Sequence, residues 1–159
     1  ATGQHLLRVL RNPAPVVLAV ALFAAVAMAS SDITATVDLR QERFDTMGRA
    51  MKVFRAQLKG DRPVPRAELA AAARSIATTA PDIAGWFPAG SGPESGLETD
   101  ALAYIWRNEA KFERLAGELG PAADALVLAV DSGDDAAIGR AARSVAGACR
   151  DCHRSFRAD

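Results

Sequence analysis

Near the C-terminal end of this 159-residue chain, Cys149-Arg150-Asp151-Cys152-His153 form the pattern C-x-x-C-H. On a helix, two thiols three residues apart lie on one face, where both can form thioether bonds to the vinyl groups of a haem. The adjacent imidazole of His153 can then ligate the iron. The motif therefore predicts a protein with one c-type haem, attached through Cys149 and Cys152 with His153 as the metal ligand.

Three other uses of the two cysteines are weaker interpretations. Cys149 and Cys152 are the only cysteines in the chain. A thioredoxin-like redox pair needs a βαβ context, which the sequence lacks, and a zinc site needs two further ligands. A plain disulfide would not call for the adjacent His153. Haem attachment is the favoured interpretation.

The composition favours packed helices over sheet. Half of the residues are hydrophobic, only 6% are aromatic, and alanine is abundant, which suits helices that pack closely. The length suggests one domain. No phosphate-binding loop and no basic tract suited to nucleic acid is present, so no nucleic-acid partner is expected.

An uncharged run at residues 13–29 follows Arg8 and Arg11. At ~1.5 Å per residue, its roughly 17 residues reach about 26 Å, close to the thickness of the hydrocarbon core. A cleaved signal peptide competes, because residues 27–29 resemble an A-x-A cleavage site. Since the segment is present in the chain, we expect an uncleaved transmembrane anchor instead, with the N-terminus in the cytoplasm by the positive-inside rule.

This topology predicts two parts: residues 1–30 as a cytoplasmic tail and transmembrane anchor, and residues 31–159 as a haem domain in the periplasm, bound to the bacterial inner membrane. His5, the only other histidine, would lie across the membrane and could not serve as a second haem ligand. Without Arg8 and Arg11, 17 basic residues stand against 19 acidic ones. Strong electrostatic steering of a partner is therefore not expected, although a local patch could exist.

From residue 31 the apolar residues recur at alternating steps of four and three, which predicts a helix packed in a bundle. The positions on this seam are Ile33, Val37, Arg40, Phe44, Met47, Met51, Phe54 and Leu58. Arg40 is the exception, because a charge on an apolar seam needs a partner. It either snorkels from the seam edge or lies near a haem propionate. Gly60, followed by Pro63, ends the helix.

Three further helices are predicted. One covers about residues 65–79, and an aromatic loop at residues 80–98 follows it. The third is capped by Thr99 and divided at Gly120-Pro121. The fourth opens with a capping box at residues 132–135, and its seam is Ile138, Ala142, Val145, Cys149, Cys152 and Phe156. The expected fold is all-α: an antiparallel four-helix bundle with covalently bound haem, preceded by a single N-terminal transmembrane helix.

An ordered set of residues resembles the four-helix-bundle cytochromes c'. It comprises Arg40-Gln41 with Phe44, Met47-Gly48, Lys52, Lys59-Gly60, the loop Trp86-Phe87-Pro88-Ala89-Gly90, Ile105-Trp106 with Phe112, Gly133-Asp134, and Gly147 before the haem motif with Phe156-Arg157. The resemblance covers nearly all of residues 31–159. The anchor and the Gly120-Pro121 break depart from the family pattern.

The resemblance implies that His153 ligates the iron, that Arg40 lies near a propionate, and that Phe44 covers the sixth coordination position. It adds Trp106 and Arg157 as further candidate haem contacts. Members of the family usually form homodimers. A membrane-bound version could instead be a subunit of a larger respiratory or photosynthetic membrane complex.

Two functions are compatible with this site: one-electron transfer, favoured by the anchor, and binding of nitric oxide or carbon monoxide, favoured by the apolar Phe44. Methionine sulfur can also ligate haem, so a six-coordinate, purely electron-carrying cytochrome with Met47 as distal ligand is one alternative. A mainly structural haem subunit is another. We expect no enzyme activity, since Asp45 and Lys52 are better interpreted as part of a solvated helix face.

Overall fold

The computed structural model describes the backbone of residues 14–158 and the side chains of residues 32–158. The chain divides into two compact units, Ala1–Asp32 and Ile33–Asp159. Among the described residues, no helix is both long and apolar enough to cross a bilayer. The predicted anchor at residues 13–29 lies outside the residues whose side chains are described.

The described residues form six α-helices. They are α1 (Ala14–Lys59), α2 (Arg66–Thr79), α3 (Tyr104–Arg107), α4 (Glu109–Gly117), α5 (Leu119–Ser132) and α6 (Asp135–Phe156). Short 3-10 helices cover Ala80–Trp86 and Pro93–Ser95. No strand occurs in this part of the chain, where a single bridge pairs Ala101 with Arg157. The predicted all-α class is confirmed, with α3, α4 and α5 in the place of the third bundle helix.

Both ends of the connection between α1 and α2 form as predicted. Gly60 has a φ of +69°, a left-handed conformation that glycine adopts without a steric penalty. The N–H of Asp61 donates to the carbonyl of Ala56 at 3.2 Å, which closes the last turn of α1. Pro65 precedes α2, where its missing N–H costs no helical hydrogen bond.

The predicted N-cap of the third helix is wrong, whereas its predicted division occurs. Thr99 does not cap it, because the helical segment begins at Tyr104 and the Thr99 hydroxyl accepts from the backbone N–H of Ala101 instead. The chain divides between α4 and α5 at Glu118, two residues before Gly120-Pro121. A proline ring clashes with the carbonyl four residues earlier, which for Pro121 is Gly117, the last residue of α4.

The turn before α6 lies where it was predicted, with a different capping residue. Asp134, not Ser132, is the N-cap, and its carboxylate accepts a hydrogen bond from the backbone N–H of Ala136 at 2.8 Å. The Ser132 hydroxyl donates to the carbonyl of Ala129 at the end of α5. Between them, Gly133 turns the chain with a φ of +78°. A carboxylate in place of a hydroxyl therefore caps α6.

One apolar core joins the helices of the second unit. In this core α5 packs against α2 and α6, and α4 packs against α6. The α1 seam contributes Val37, Met47 and Phe54, whereas Leu58 at its end is 44% exposed. The α6 seam is buried at Ile138, Ala142, Val145 and Phe156. Both predicted seams therefore face the core, except at the end of α1.

Candidate functional site

The last turns of α6 bring the two thiols and the imidazole together. Cys149 and Cys152 are unpaired, half-buried thiols that pack against the core. His153 follows on the exposed side, and its ring lies 6.4 Å from the ring of Phe44 on α1, in an edge-on arrangement at 70°. The register of α6 explains this placement, because its apolar seam turns the thiols inward and leaves the next residue at the seam's border.

The thiols are poor nucleophiles in this environment. Burial raises the pKa of Cys149, and burial together with the nearby Cys149 and Glu118 raises the pKa of Cys152 to about 11. Redox-active and metal-binding cysteines need the thiolate form. Over the described residues, no cluster of three or more His, Cys, Asp or Glu side chains could hold a metal ion. The raised pKa values of the two thiols argue against the thioredoxin-like interpretation.

The environment of His153 favours the neutral imidazole. Partial burial of the ring lowers its pKa, and the positive charge of Arg157 lowers it further. The neutral form is the one that ligates metals. Arg157 is held nearby because its Nε and Nη2 atoms donate to the Asp100 carboxylate at 3.2 and 3.0 Å. The predicted candidate Arg157 therefore lies close to His153, although its contact with a haem stays a prediction.

Aromatic side chains surround Phe44. Its ring centroid lies 5.2 Å from Trp86 and 6.2 Å from Phe87, both in the loop after α2. Phe87 lies in turn 4.8 Å from Phe112 on α4, which lies 5.3 Å from Phe156 on α6. This cluster makes the space beside His153 apolar and ties three helices to the loop.

Phe44 and Met47 have different surroundings. Phe44 is half-buried and is the α1 side chain in ring contact with His153. Met47 is 7% exposed and belongs to the packed core. Core packing is the common role of a methionine in such a position. The structure therefore places Phe44 beside the imidazole, while the coordination number of a bound iron stays a prediction.

Arg40 is buried and fully engaged with the loop. It is only 3% exposed, so the snorkelling interpretation is wrong. Nη1 donates to the Ser91 hydroxyl at 3.1 Å and the Trp86 carbonyl at 3.5 Å, and Nη2 donates to the Ser91 carbonyl at 3.0 Å and the Thr99 hydroxyl at 2.9 Å. The guanidinium also lies 4.5 Å from the centroid of the Phe87 ring.

These bonds change what Arg40 can offer a haem. Four bonds use all the hydrogens of the two terminal nitrogens, so a propionate could be served only by the Nε–H. Burial lowers the pKa of the guanidinium without neutralising it. Ser91, fully buried, and Thr99 are functional partners that the sequence analysis missed, because nothing in a glycine- and proline-rich loop signals which hydroxyl faces a distant arginine.

We expect Arg40→Met to destabilise the holoprotein by about 2–4 kcal/mol, because buried oxygens would lose their donor. Chemical denaturation measures this loss. Arg49→Met, on the exposed side of the same helix, is the matched control and should change stability by no more than about 0.5 kcal/mol.

A double-mutant cycle tests whether Ser91 is the partner of Arg40. Ser91→Ala and Arg40→Met should be non-additive in a double-mutant cycle, because each removes the same bonds. If the two losses simply add while Arg40→Met shifts the haem reduction potential, Arg40 acts mainly on the haem instead of on the loop.

Trp106 supports the loop from α3. Its Nε1 donates to the carbonyls of Phe87 and Pro88 at 3.1 and 3.2 Å. Gly92 passes so close that a Cβ atom there would lie 2.6 Å from Cζ3 of Trp106. The structure thus gives this predicted site residue a role in shaping the loop, and its contact with a haem stays a prediction.

The residues present fit a flat, covalently held macrocycle. The Nε1 atom of Trp86 is buried and has no hydrogen-bond acceptor in the described part of the chain, which costs stability unless a bound group accepts from it. The two thiols share one helix face and pack against the apolar core, and the ring of Phe44 faces the His153 imidazole beside them.

Comparisons with known proteins agree with this site. The family model described as Cytochrome C' matches residues 35–157. The cytochrome c' of Pararhodospirillum photometricum is 34% identical over 124 residues, covering 77% of this chain and 96% of that protein. The cytochrome c-556 of Agrobacterium tumefaciens strain B2A is 34% identical over 121 residues, covering 76% and 95%.

A solved structure gives the same result for the fold. The crystal structure of cytochrome c' from Thermochromatium tepidum superposes with a TM-score of 0.74 at 27% identity, covering 80% of this chain and 97% of that one. The region matched by the family model begins after the predicted anchor and ends one residue beyond α6, so it includes every residue of the candidate site.

Proposed function

The chain belongs to the cytochrome c' family, whose members bind haem c, and on that premise we propose that it is a one-electron carrier whose apolar, open distal site can bind nitric oxide or carbon monoxide. The observation that carries the proposal is the pairing of Phe44 with His153 across the space beside the two thiols. One side of that space offers a ligand for iron, and the other offers none.

Each residue has a defined part in this proposal. Cys149 and Cys152 would hold the haem by thioethers, and His153 would ligate its iron. When bound, the haem supplies a one-electron redox centre and a coordination position for a diatomic gas. Phe44 would cover that position without ligating the iron, with a ring that gives no hydrogen bond, and Arg157 places positive charge beside the imidazole.

One related structure supports ligand binding: a cytochrome c' with a ligand-controlled dimer dissociation. For this chain, the apolar ring of Phe44 favours small uncharged ligands over polar ones. Homodimer formation by this chain is also part of the proposal, because the related cytochrome c' with ligand-controlled dissociation is a dimer.

The proposal does not include catalysis. Asp45 and Lys52, two titratable groups near Phe44 and Met47 in sequence, are both exposed. General acid-base catalysis needs such groups within hydrogen-bond reach of the reacting atoms. A solvated helix face is the simpler account of both.

A redox titration of the purified holoprotein tests electron transfer. We expect the haem absorbance to follow a single one-electron transition that reverses completely between reductant and oxidant. A haem that remains in one state across the range of biological potentials would favour the mainly structural role.

We also propose that residues 13–29 anchor the haem domain on the periplasmic face of the bacterial inner membrane, beside a respiratory or photosynthetic complex. The support is the uncharged run itself and the arginines that precede it. A tether of this kind raises the effective concentration of an electron carrier near membrane oxidoreductases.

Deleting residues 1–29 behind a cleavable leader should release a folded, soluble haem domain, because the matched family region begins at residue 35. The measurement is the distribution of covalent haem between soluble and membrane fractions. The full chain, washed with high salt, is the control and should stay with the membranes. A deleted domain that still sediments with washed membranes would show that another surface holds it there.

A further inference from the structure

Four arginines on the outer face of α6, together with Arg157 directly after its last residue, are called here the arginine stripe: Arg140, Arg143, Arg150, Arg154 and Arg157. The four helical ones follow steps of three and four, except that Gly147 takes the place between Arg143 and Arg150. Such spacing puts these four on one side of the helix. All five are exposed, and they lie away from the buried seam of the same helix.

The stripe carries an excess of positive charge. Arg140 and Arg157 lie 4.0 and 3.0 Å from carboxylates of Asp134 and Asp100, and Arg154 pairs with Asp151. Arg143 and Arg150 have no ion pair among residues 32–158. Asp151 is the only acidic residue from 140 to 157.

The position of this charge matters more than its amount. The formal net charge of the whole chain is zero, so the arginine stripe is a local feature and not a consequence of a basic protein. Arg150 lies between the two cysteines, Arg154 follows His153 directly, and Arg157 comes three residues later. A positively charged stretch of the chain therefore adjoins the residues that would hold the haem.

We propose that the arginine stripe is the docking surface for an acidic protein partner that exchanges electrons with the haem on the same helix. This rests on the proposed electron-carrier function and names the chemistry of the partner. Exposed guanidinium groups bind carboxylates through paired hydrogen bonds. A charged stripe also speeds encounter with an oppositely charged surface and sets its orientation.

A protein surface fits this face of α6 better than a lipid surface does. Helices that lie on membranes place large apolar side chains into the interface between their basic residues. Beside the arginines, the outer face of α6 presents Ala136, Ser144 and Gly147, none of which could insert. The helix has four arginines and no lysine, a composition suited to carboxylates fixed in place.

The test compares two triple variants with the same change of charge. Arg143→Gln, Arg150→Gln and Arg154→Gln remove the middle of the stripe. Arg49→Gln, Lys52→Gln and Arg55→Gln remove three exposed charges from α1 and serve as the control. Binding of each holoprotein to immobilised poly-L-glutamate is measured by surface plasmon resonance over a range of ionic strength.

We expect the stripe variant to bind about tenfold more weakly at low ionic strength, with a flatter salt dependence. The α1 control should change by less than about twofold. Equal losses in both variants would overturn the proposal, because net charge alone would then explain binding. Binding to phosphatidylglycerol vesicles that exceeds binding to poly-L-glutamate would also overturn it, in favour of a lipid surface.

A second measurement separates this proposal from the function on which it rests. The rate at which the hexacyanoferrate(III) anion oxidises the reduced holoprotein should fall as ionic strength rises. At low ionic strength this rate should be lower in the stripe variant than in the unaltered protein, and it should be unchanged in the α1 control. If no variant exchanges electrons with this reagent, the electron-carrier function fails, while the poly-L-glutamate result still decides whether the stripe binds acidic surfaces.

Discussion

Replacing Cys149 and Cys152 together with alanine should abolish covalently bound haem. The reason is geometric, because these two half-buried thiols are the only cysteines of the chain and share the core-facing side of α6. A thioether cannot form without them, and His153 alone holds a haem only by coordination. Haem-stained denaturing electrophoresis, together with the mass of the intact chain, measures the loss.

The single variants are the matched controls. Cys149→Ala and Cys152→Ala should each keep one thioether and show haem staining of the denatured chain. If the double variant still carries haem through denaturing electrophoresis, another side chain forms the link, and the assignment of the motif fails. Loss of haem from only one of the single variants would show that one thiol makes the essential bond.

Phe44→Ala should open the distal side of the haem and speed carbon monoxide binding. Displacing a packed ring costs about 1–3 kcal/mol, which corresponds to roughly 5- to 150-fold in rate. Stopped-flow mixing of the reduced protein with carbon monoxide measures this rate. Phe44→Leu keeps an apolar side chain at the position, so this variant should fold as the unaltered protein does. Its rate of carbon monoxide binding should lie between the rates of the unaltered protein and of Phe44→Ala.

Met47→Leu is the matched substitution one turn further along α1. Since Met47 is buried in the core and leucine has a similar volume, the optical spectrum should stay nearly unchanged. A change from a low-spin to a high-spin spectrum in Met47→Leu would identify Met47 as the distal ligand. In that case the gas-binding part of the proposal would be wrong.

The regular helices could be predicted from the sequence because their packing sides are periodic. The seams of α1 and α6 have uninterrupted steps of three and four, and a helix with such a seam has one way to bury it. The chemistry of the motif at residues 149–153 depends only on this local register. The haem site on α6 could therefore be located without any knowledge of the rest of the fold.

The parts that could not be predicted depend on contacts between distant segments. Arg40 stood out as a charge on an apolar seam, but its partners Ser91 and Thr99 lie 51 and 59 residues away in an irregular loop. Periodicity carries no information about such a loop. The division of the third bundle helix needed no such contact, because Pro121 indicates it and the clash ends α4 four residues earlier, at Gly117.

The arginine stripe was not predicted from the sequence. Its residues follow the same steps of three and four as the apolar seam, but helices are usually identified from the spacing of their apolar residues. The structure shows that all five arginines are exposed, on or directly after the helix that contains the haem motif. Overall charge conceals it, because acidic residues elsewhere bring the total to zero.

The most direct test of the central claim is the optical spectrum of the reduced protein with and without carbon monoxide. A haem with His153 as its only strong ligand and Phe44 on the other side should give a high-spin spectrum that carbon monoxide changes readily and completely. Sharp low-spin bands that persist under saturating carbon monoxide would contradict this account, because a side chain would then occupy the position that Phe44 is proposed to leave open.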